Sequence, residues 1–452
     1  MTYDIAIIGG GPGGYTAAEH AAKLGKSVVL FEKDLLGGTC LNRGCMPTKS
    51  LLHGAETYVA MRHASDLGLV AENVGYDFSA MHRRKTEVID ALRQGVEKLM
   101  KAGKIAVVRG KARVEGEGKI SCDGEIYEAA DIILATGTKV FCPPIPGWDN
   151  AGVVTSDDLL EGEGRAFSSL VIIGAGVVGV ECACLYLALG AEVTLIEAAD
   201  HILPAMDREL AQRLAMMLKK QGCKVEAKAT VQSIAGAPGA MTVTYHDKKG
   251  GEHTATGEGV LLAAGRKADL DGLFAPGAEP ELERGAIVAD EVGRTSIPHL
   301  YAIGDVRARN IQLAHVAEAQ GKNAVEVIAG NEPPIDMHVV PSCVYTTPEI
   351  ASVGLTEDHA KAQGLKVKTG KYLTGANGKC LIEGTESGYV KLVADAETGR
   401  LLGAQMVCPR ATDMIGELGL AVQRGVTADQ LAHVIHPHPT FCEMISGAAE
   451  TL

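Results

Sequence analysis

The sequence predicts an α/β protein: two Rossmann-like dinucleotide-binding domains plus a C-terminal α+β dimerisation domain. Three observations predict it. A strand, Gly-rich turn, helix and second strand occur twice in register. Apolar strands ending in Gly punctuate the chain between and after the copies. The last quarter mixes strands and helices and carries no phosphate loop.

The repeat comes first. Residues 4–32 read DIAIIGGGPGGYTAAEHAAKLGKSVVLFE, and residues 169–197 read SLVIIGAGVVGVECACLYLALGAEVTLIE. An offset of 165 places Gly9, Gly11, Gly14, Gly25 and Glu32 on Gly174, Gly176, Gly179, Gly190 and Glu197. In such a unit the first Gly permits a tight turn, the second lets backbone approach a pyrophosphate, and the third lets helix pack on sheet. The helix start offers unpaired N–H groups to an anion. The terminal carboxylate accepts from ribose hydroxyls. One such motif is weak evidence; two with strand, helix and acid in register are strong.

Between the copies, residues 104–114 and 119–127 read as hairpin strands. A buried strand at 131–134 runs into Ala135-Thr136-Gly137. Residues 141–147, with Pro143, Pro144 and Pro146, read as a linker. Alternating β character returns over 225–258, then an apolar strand at 260–264 meets Gly265-Arg266. Residues 299–305 (HLYAIGD) form another strand ending in Gly304-Asp305, with a helix near 313–329. In the tail, strands are predicted at 343–345, 389–394 and 403–407, and helices at 411–424 and 428–434. This tail reads as a separate dimerisation unit.

Composition narrows the function. At 452 residues the chain is too long for one ordinary core, so three or four domains or subdomains are expected. A net charge of −13 argues against a nucleic-acid surface. No apolar run approaches the ~20 residues of a membrane span. A strand begins at Tyr3, leaving no room for a leader peptide before it. Eleven scattered cysteines are not a disulfide framework, and a reducing cytoplasm is expected.

One cysteine pair stands apart. Cys40 and Cys45 lie in GGTCLNRGCMPTK, residues 37–49. Five helical residues rise roughly 7.5 Å, whereas a disulfide needs Cα atoms within about 7 Å. A bond between them therefore requires a distorted turn. Gly44 permits it, and Pro47 cannot donate to the carbonyl of Arg43. A helix start also favours a thiolate at one sulfur. The alternatives are two buried free thiols or half a metal site, but no partner ligands at metal spacing follow and no metal is expected. The other nine cysteines read as packing, including Cys182, Cys184 and Cys442.

The second cluster is HPHPTFCE, residues 436–443. The prolines favour extended backbone, which points His436 and His438 the same way along one wall. Glu443 is placed to fold back on a ring nitrogen and raise its basicity. Dithiol chemistry needs such a base. The alternative is a surface loop with two ordinary histidines.

Taken together, these segments resemble the class I pyridine nucleotide–disulfide oxidoreductases, and among them the dihydrolipoamide dehydrogenases. The resemblance rests on GGTCLNRGCMPTKSLLH (37–53), ILATGT (133–138), GAGVVGVE (174–181), LLAAGRK (261–267), YAIGDV (301–306), LAHVAEAQG (313–321), VYTTPEIASVGLTE (344–357) and HPHPTFCE. It spans essentially the whole chain. It implies an FAD-binding domain at 1–146, an NAD-binding domain at 147–265, a central domain at 266–337 completing the FAD site, and a dimerisation domain at 338–452.

By that resemblance, FAD is held by Gly9, Gly11, Gly14, Glu32, Thr136, Gly137, Gly304, Asp305 and Ala314. NAD is held by Gly174, Gly176, Gly179, Glu197 and Gly265. Cys40 is the thiol that meets substrate and Cys45 the one against the flavin. Lys49 and Glu181 form an ion pair beside the flavin ring. His438, paired with Glu443, is the acid–base that reaches the partner subunit of a homodimer. The implied substrate is a dihydrolipoyl group on the carrier protein of a 2-oxoacid dehydrogenase or glycine cleavage complex. No cation follows Glu197 until Arg208, which favours NAD over its phosphorylated form. Val177 stands where glutathione reductases carry an aromatic lid. Two features depart from the family pattern or vary within it. Gly265-Arg266 is followed by Lys267-Ala268-Asp269 rather than the usual Pro-Asn, and Arg43 adds a cation that would lower a thiol pKa. Reduction of another disulfide or of mercuric ion, and a weakly catalytic flavoprotein subunit, are the rival readings.

Overall fold

The structure is a computed structural model that describes residues 2–162, 164–385 and 387–452. The first sheet forms around β1 (Thr2–Ile8), whose Ile5, Ala6 and Ile7 are wholly buried. Helix α1 (Pro12–Lys23) follows, with Pro at its first position, and then β2 (Val28–Glu32). Pro suits that position because the N–H it lacks would be unpaired there anyway. Both strands are buried and pair in parallel, so they read as continuous apolar runs.

Three helices then intervene: α2 (Gly38–Arg43), α3 (Cys45–Arg62) and α4 (Phe78–Ala102). The sheet is completed by β3 (Ala106–Arg109), β4 (Arg113–Gly116), β5 (Lys119–Cys122) and β6 (Glu125–Leu134), in the order β3-β2-β1-β6-β5-β4. Two expectations are corrected here. Residues 104–114 are not one hairpin strand. Gly110, at φ +151, separates β3, which pairs in parallel with β2, from β4, which forms the hairpin with β5. The boundary expected between strands at 119–127 and 131–134 is also misplaced: a turn at Asp123-Gly124 ends β5, and 131–134 is the buried end of the ten-residue β6.

The short β7 (Thr138–Val140) leads out of this unit. The second unit holds β8 (Val153–Thr155), α5 (Ser156–Leu160), β9 (Ser169–Ile173), α6 (Val177–Ala188), β10 (Glu192–Glu197), α7 (Arg208–Lys220) and β11 (Lys224–Ala227). A meander of β12 (Thr230–Ala237), β13 (Ala240–His246) and β14 (Glu252–Gly257) precedes β15 (Gly259–Leu262). The sheet order is β11-β10-β9-β15-β8. Helix α6 is nearly all apolar because both its sides are covered, and Cys182 and Cys184 pack there as expected.

The chain returns to the first unit. Strand β16 (Arg266–Ala268) pairs with β7, the strand Leu300–Ala302 pairs with β6, and α8 (Ala314–Ile328) packs against α1. The tail forms a five-stranded antiparallel sheet with Leu401–Val407 at its centre, covered by the helices Ala411–Arg424 and Glu443–Glu450. Among the described residues no helix is long and apolar enough to cross a membrane.

Candidate active site

The two Gly loops are built alike. Gly9 has φ +110, and a Cβ there would lie 2.3 Å from the carbonyl oxygen of Ala135; a Cβ on Gly14 would lie 1.8 Å from that of Gly9. In the second copy Gly174 has φ +102, with 2.4 Å to the Ala263 oxygen, and Gly179 has 2.0 Å to that of Gly174. Glu32 accepts from the Gly10 N–H at 2.6 Å and the Asp34 N–H at 2.8 Å. Glu197 accepts from Ala175 N–H at 2.6 Å and Ala199 N–H at 2.7 Å. Each carboxylate therefore clamps its own loop while keeping oxygen lone pairs for a ligand.

A cavity of about 760 Å³ runs from the first loop to the cysteines. It gathers Gly9, Gly11, Glu32, Thr136, Gly137, Gly304, Asp305 and Ala314 with Cys40, Cys45, Lys49 and Glu181. Gly14 lies behind it, packed on Gly9. Gly174, Gly176, Gly179, Glu197 and Gly265 do not line it; they belong to the second loop, although Val177 and Val178 reach its wall. The site fits a dinucleotide. The hydroxyl of Thr136 is buried without a partner, the glycines leave space where any Cβ would intrude, and burial pushes Asp305 up to about 6, partly opposed by Arg266.

The cysteines sit where α2 breaks into α3. Gly44 takes φ −139 and ψ −106 at the junction, and its carbonyl accepts from Thr48 Oγ1 at 2.6 Å. Cys45 is thus the first residue of an 18-residue helix, where N–H groups and the helix dipole favour an anion. Both sulfurs are free thiols. The hydrogen bond between them holds Cys40 well above the usual thiol range, reinforced by burial. The same bond, with Lys49 next among the lowering causes, holds Cys45 below it. In the reduced pair, Cys40 therefore donates to a Cys45 thiolate.

Lys49 lies one turn along α3 from Cys45 and binds both oxygens of Glu181, at 2.9 and 2.7 Å. Glu181 also accepts from the Tyr345 N–H at 3.0 Å, and Lys49 Nζ stands 4.5 Å from that ring centre. Lys49 is therefore the cation acting on the pair. Arg43 is not: its guanidinium is committed to Asp34 and, at 3.1 Å, to Glu161.

Arg266 was visible in the sequence only as part of a motif. Its guanidinium contacts Thr138 Oγ1 at 3.0 Å, Asp157 at 3.2 Å and Thr39 Oγ1 at 3.5 Å. It ties the end of the second unit to the residue before Cys40. Glu318 and His315, on α8, also line the cavity without any signal that singled them out.

The histidines part company. His438 Nδ1 pairs with Glu443 at 2.8 Å, and Glu443 is held below the usual carboxylate range by the Thr440 N–H and then by His438. The His438 side chain is 78% exposed. His436 is turned inward: its side chain is 6% exposed and pairs with Glu417 at 3.1 Å. The expectation of one shared wall is corrected: Glu417 holds the His436 ring inward, whereas His438 stands out beside Glu443. His438 and Glu443 do not line the cavity of their own chain. Cys442 packs beneath them against the tail core.

Comparisons with known proteins agree with this architecture. Residues 3–321 match the family model described as pyridine nucleotide-disulphide oxidoreductase, and residues 340–449 match its dimerisation domain. A dihydrolipoyl dehydrogenase of Bacillus subtilis (strain 168) is 42% identical, over 99% of this chain and 97% of its own. One from Chlorobaculum parvum is 39% identical, over 99% and 96%. Among solved structures, the Cu(II) complex of the HOCl-induced flavoprotein disulfide reductase RclA from Escherichia coli superposes with a TM-score of 0.88 at 28% identity, covering 100% of this chain and 99% of that one.

Proposed function

The chain belongs to the pyridine nucleotide–disulphide oxidoreductase family, and from that premise we propose the following mechanism for it. It is a dihydrolipoamide dehydrogenase, using FAD and NAD to oxidise dihydrolipoyl groups. The carrying observation is the Cys40/Cys45 pair at a helix start, with Lys49–Glu181 beside it, in a cavity that continues to a dinucleotide loop.

Catalysis begins from the Cys40–Cys45 disulfide. A dihydrolipoyl thiolate, its proton taken by His438 of the partner subunit, attacks Cys40, and Cys45 leaves as a thiolate. The second lipoyl thiol then attacks the mixed disulfide, releasing the lipoyl disulfide and the Cys40 thiol. Glu443 fixes the imidazole tautomer so that the other ring nitrogen faces substrate. Lys49 keeps the departing Cys45 ionised. Bound FAD supplies the two-electron carrier between the reduced pair and NAD. Glu32, Thr136, Gly137, Gly304, Asp305 and Ala314 would hold FAD around the first loop, and Gly174, Gly176, Gly179, Glu197 and Gly265 would hold NAD at the second. The four-part division at 146, 265 and 337 follows from these assignments. The dimerisation domain supports a homodimer, which the exposed His438 requires to act on a cavity it does not line. The electrons come from a lipoyl-carrier protein of a 2-oxoacid dehydrogenase or glycine cleavage complex in the cytoplasm.

The test is anaerobic titration of the purified protein with dihydrolipoamide and NAD. Long-wavelength thiolate absorbance and stoichiometric NADH are expected. In Glu443→Gln, dithiol oxidation should fall about 100-fold while NADH still reduces the protein at the normal rate. Faster turnover with glutathione disulfide or mercuric ion than with dihydrolipoamide would overturn the substrate assignment.

A further inference from the structure

We propose that Lys33, Lys139, Asp269 and Asp271 form an ion-pair strap that retains FAD, a proposal that rests on the FAD reading above. All four side chains line the cavity, at the end that carries Glu32. Lys33 Nζ lies 2.5 Å from Asp269 Oδ2, and Lys139 Nζ lies 3.9 Å from Asp269 Oδ1 and also binds Asp271. Lys33 directly follows the loop-clamping Glu32, and Lys139 stands in β7.

The segment that carries the two aspartates is pinned on both sides. Before it, β16 pairs with β7, and the Asp269 N–H donates to the Gly137 oxygen at 3.0 Å. After it, Leu273 and Ala275 exchange backbone hydrogen bonds with Val114, both at 2.8 Å. Residues 269–271 therefore sit on the β7 side of the cavity, and Lys33–Asp269 is the ion pair that bridges them to the end of β2. Asp269 is 12% exposed at its side chain, so its charge is less screened than that of an open surface pair. An amide in place of Asp269 would leave both lysines without their shared anion. Opening the bridge breaks the pairs, and FAD leaves only when it opens.

The experiment measures FAD release from the holoenzyme, first confirming that the wild-type chain binds FAD. Failure at that step sinks the cofactor reading, not the strap. Dissociation after dilution is followed by the rise of flavin fluorescence. At about 20 mM salt, Asp269→Asn should release FAD roughly 3- to 10-fold faster than wild type, and the two should converge near 1 M salt. Lys33→Gln should release FAD about as fast as Asp269→Asn, and the double variant no faster than either single one, because all three remove the same pair. Equal rates at low salt, or a difference that survives high salt, would overturn the proposal. A double variant that releases FAD faster than both single variants would overturn it too, because Lys33 would then be holding FAD directly rather than closing the rim.

Discussion

Replacing Lys49 by Met removes the cation that binds Glu181 one turn from Cys45. Residues four apart on a helix stand about 6 Å from each other. Two unit charges at that distance interact by about 2.8 kcal/mol at an effective dielectric constant of about 20, or roughly two pH units. The Cys45 thiolate should therefore titrate at higher pH, by up to about that amount. Glu181→Gln must act in the opposite sense, because Glu181 pushes Cys45 up. The assay is a pH titration of the reduced holoenzyme, following thiolate–flavin absorbance, with iodoacetamide alkylation as an independent readout. A midpoint unmoved in Lys49→Met, or moved the same way in both variants, would refute the electrostatic account. Lys49→Met should also cost about 2 kcal/mol of folding stability. That is below the value for a fully buried broken pair, since Lys49 is a quarter exposed and Glu181 keeps the Tyr345 N–H.

Two further outcomes are expected. Gly179→Ala puts a methyl group 2.0 Å from the Gly174 oxygen, so the variant should keep its yellow colour but lose NAD-dependent turnover by at least about 100-fold, read by steady-state kinetics. Loss of FAD from that variant would show that the two loops are not independent. The second concerns His82, which burial and then Lys85 hold down at about 4, so the folded chain keeps it neutral. The unfolded chain binds a proton there below about 6.5. Stability from this group is therefore complete above pH 6.5 and declines as pH falls toward 4, by at most about 3 kcal/mol. Denaturant melts of His82→Gln against wild type should show a flatter acid limb; parallel curves would contradict it.

Much of this molecule was legible because backbone geometry restricts its residues locally. Only Gly fits where Gly9 approaches Ala135, and the same constraint recurs at Gly174 and Ala263, so both loops announce themselves. Helix α8 and the helix Ala411–Arg424 follow from their apolar periodicity. Helix α4 does not, because two of its five buried positions are His82 and Lys85, which break the apolar stripe. Lys85 is satisfied by the Leu160 and Gly162 carbonyls, 2.5 and 3.0 Å away on a loop some 75 residues further on. No local pattern encodes such partners.

The sequence by itself determined the two nucleotide loops, the reactive cysteine spacing and the Glu443 contact to His438, since each depends on residues within a single turn or unit. Only tertiary structure decided that Glu181 positions Lys49 beside Cys45, that Arg43 is drawn off to Glu161, where His436 points and which cations Asp269 meets. The first, second and fourth are contacts between residues more than a hundred positions apart, and His436 turns to Glu417, nineteen residues before it. Charge and hydrogen bonding act through space, and their strength is set by burial, which exists only once the chain has folded.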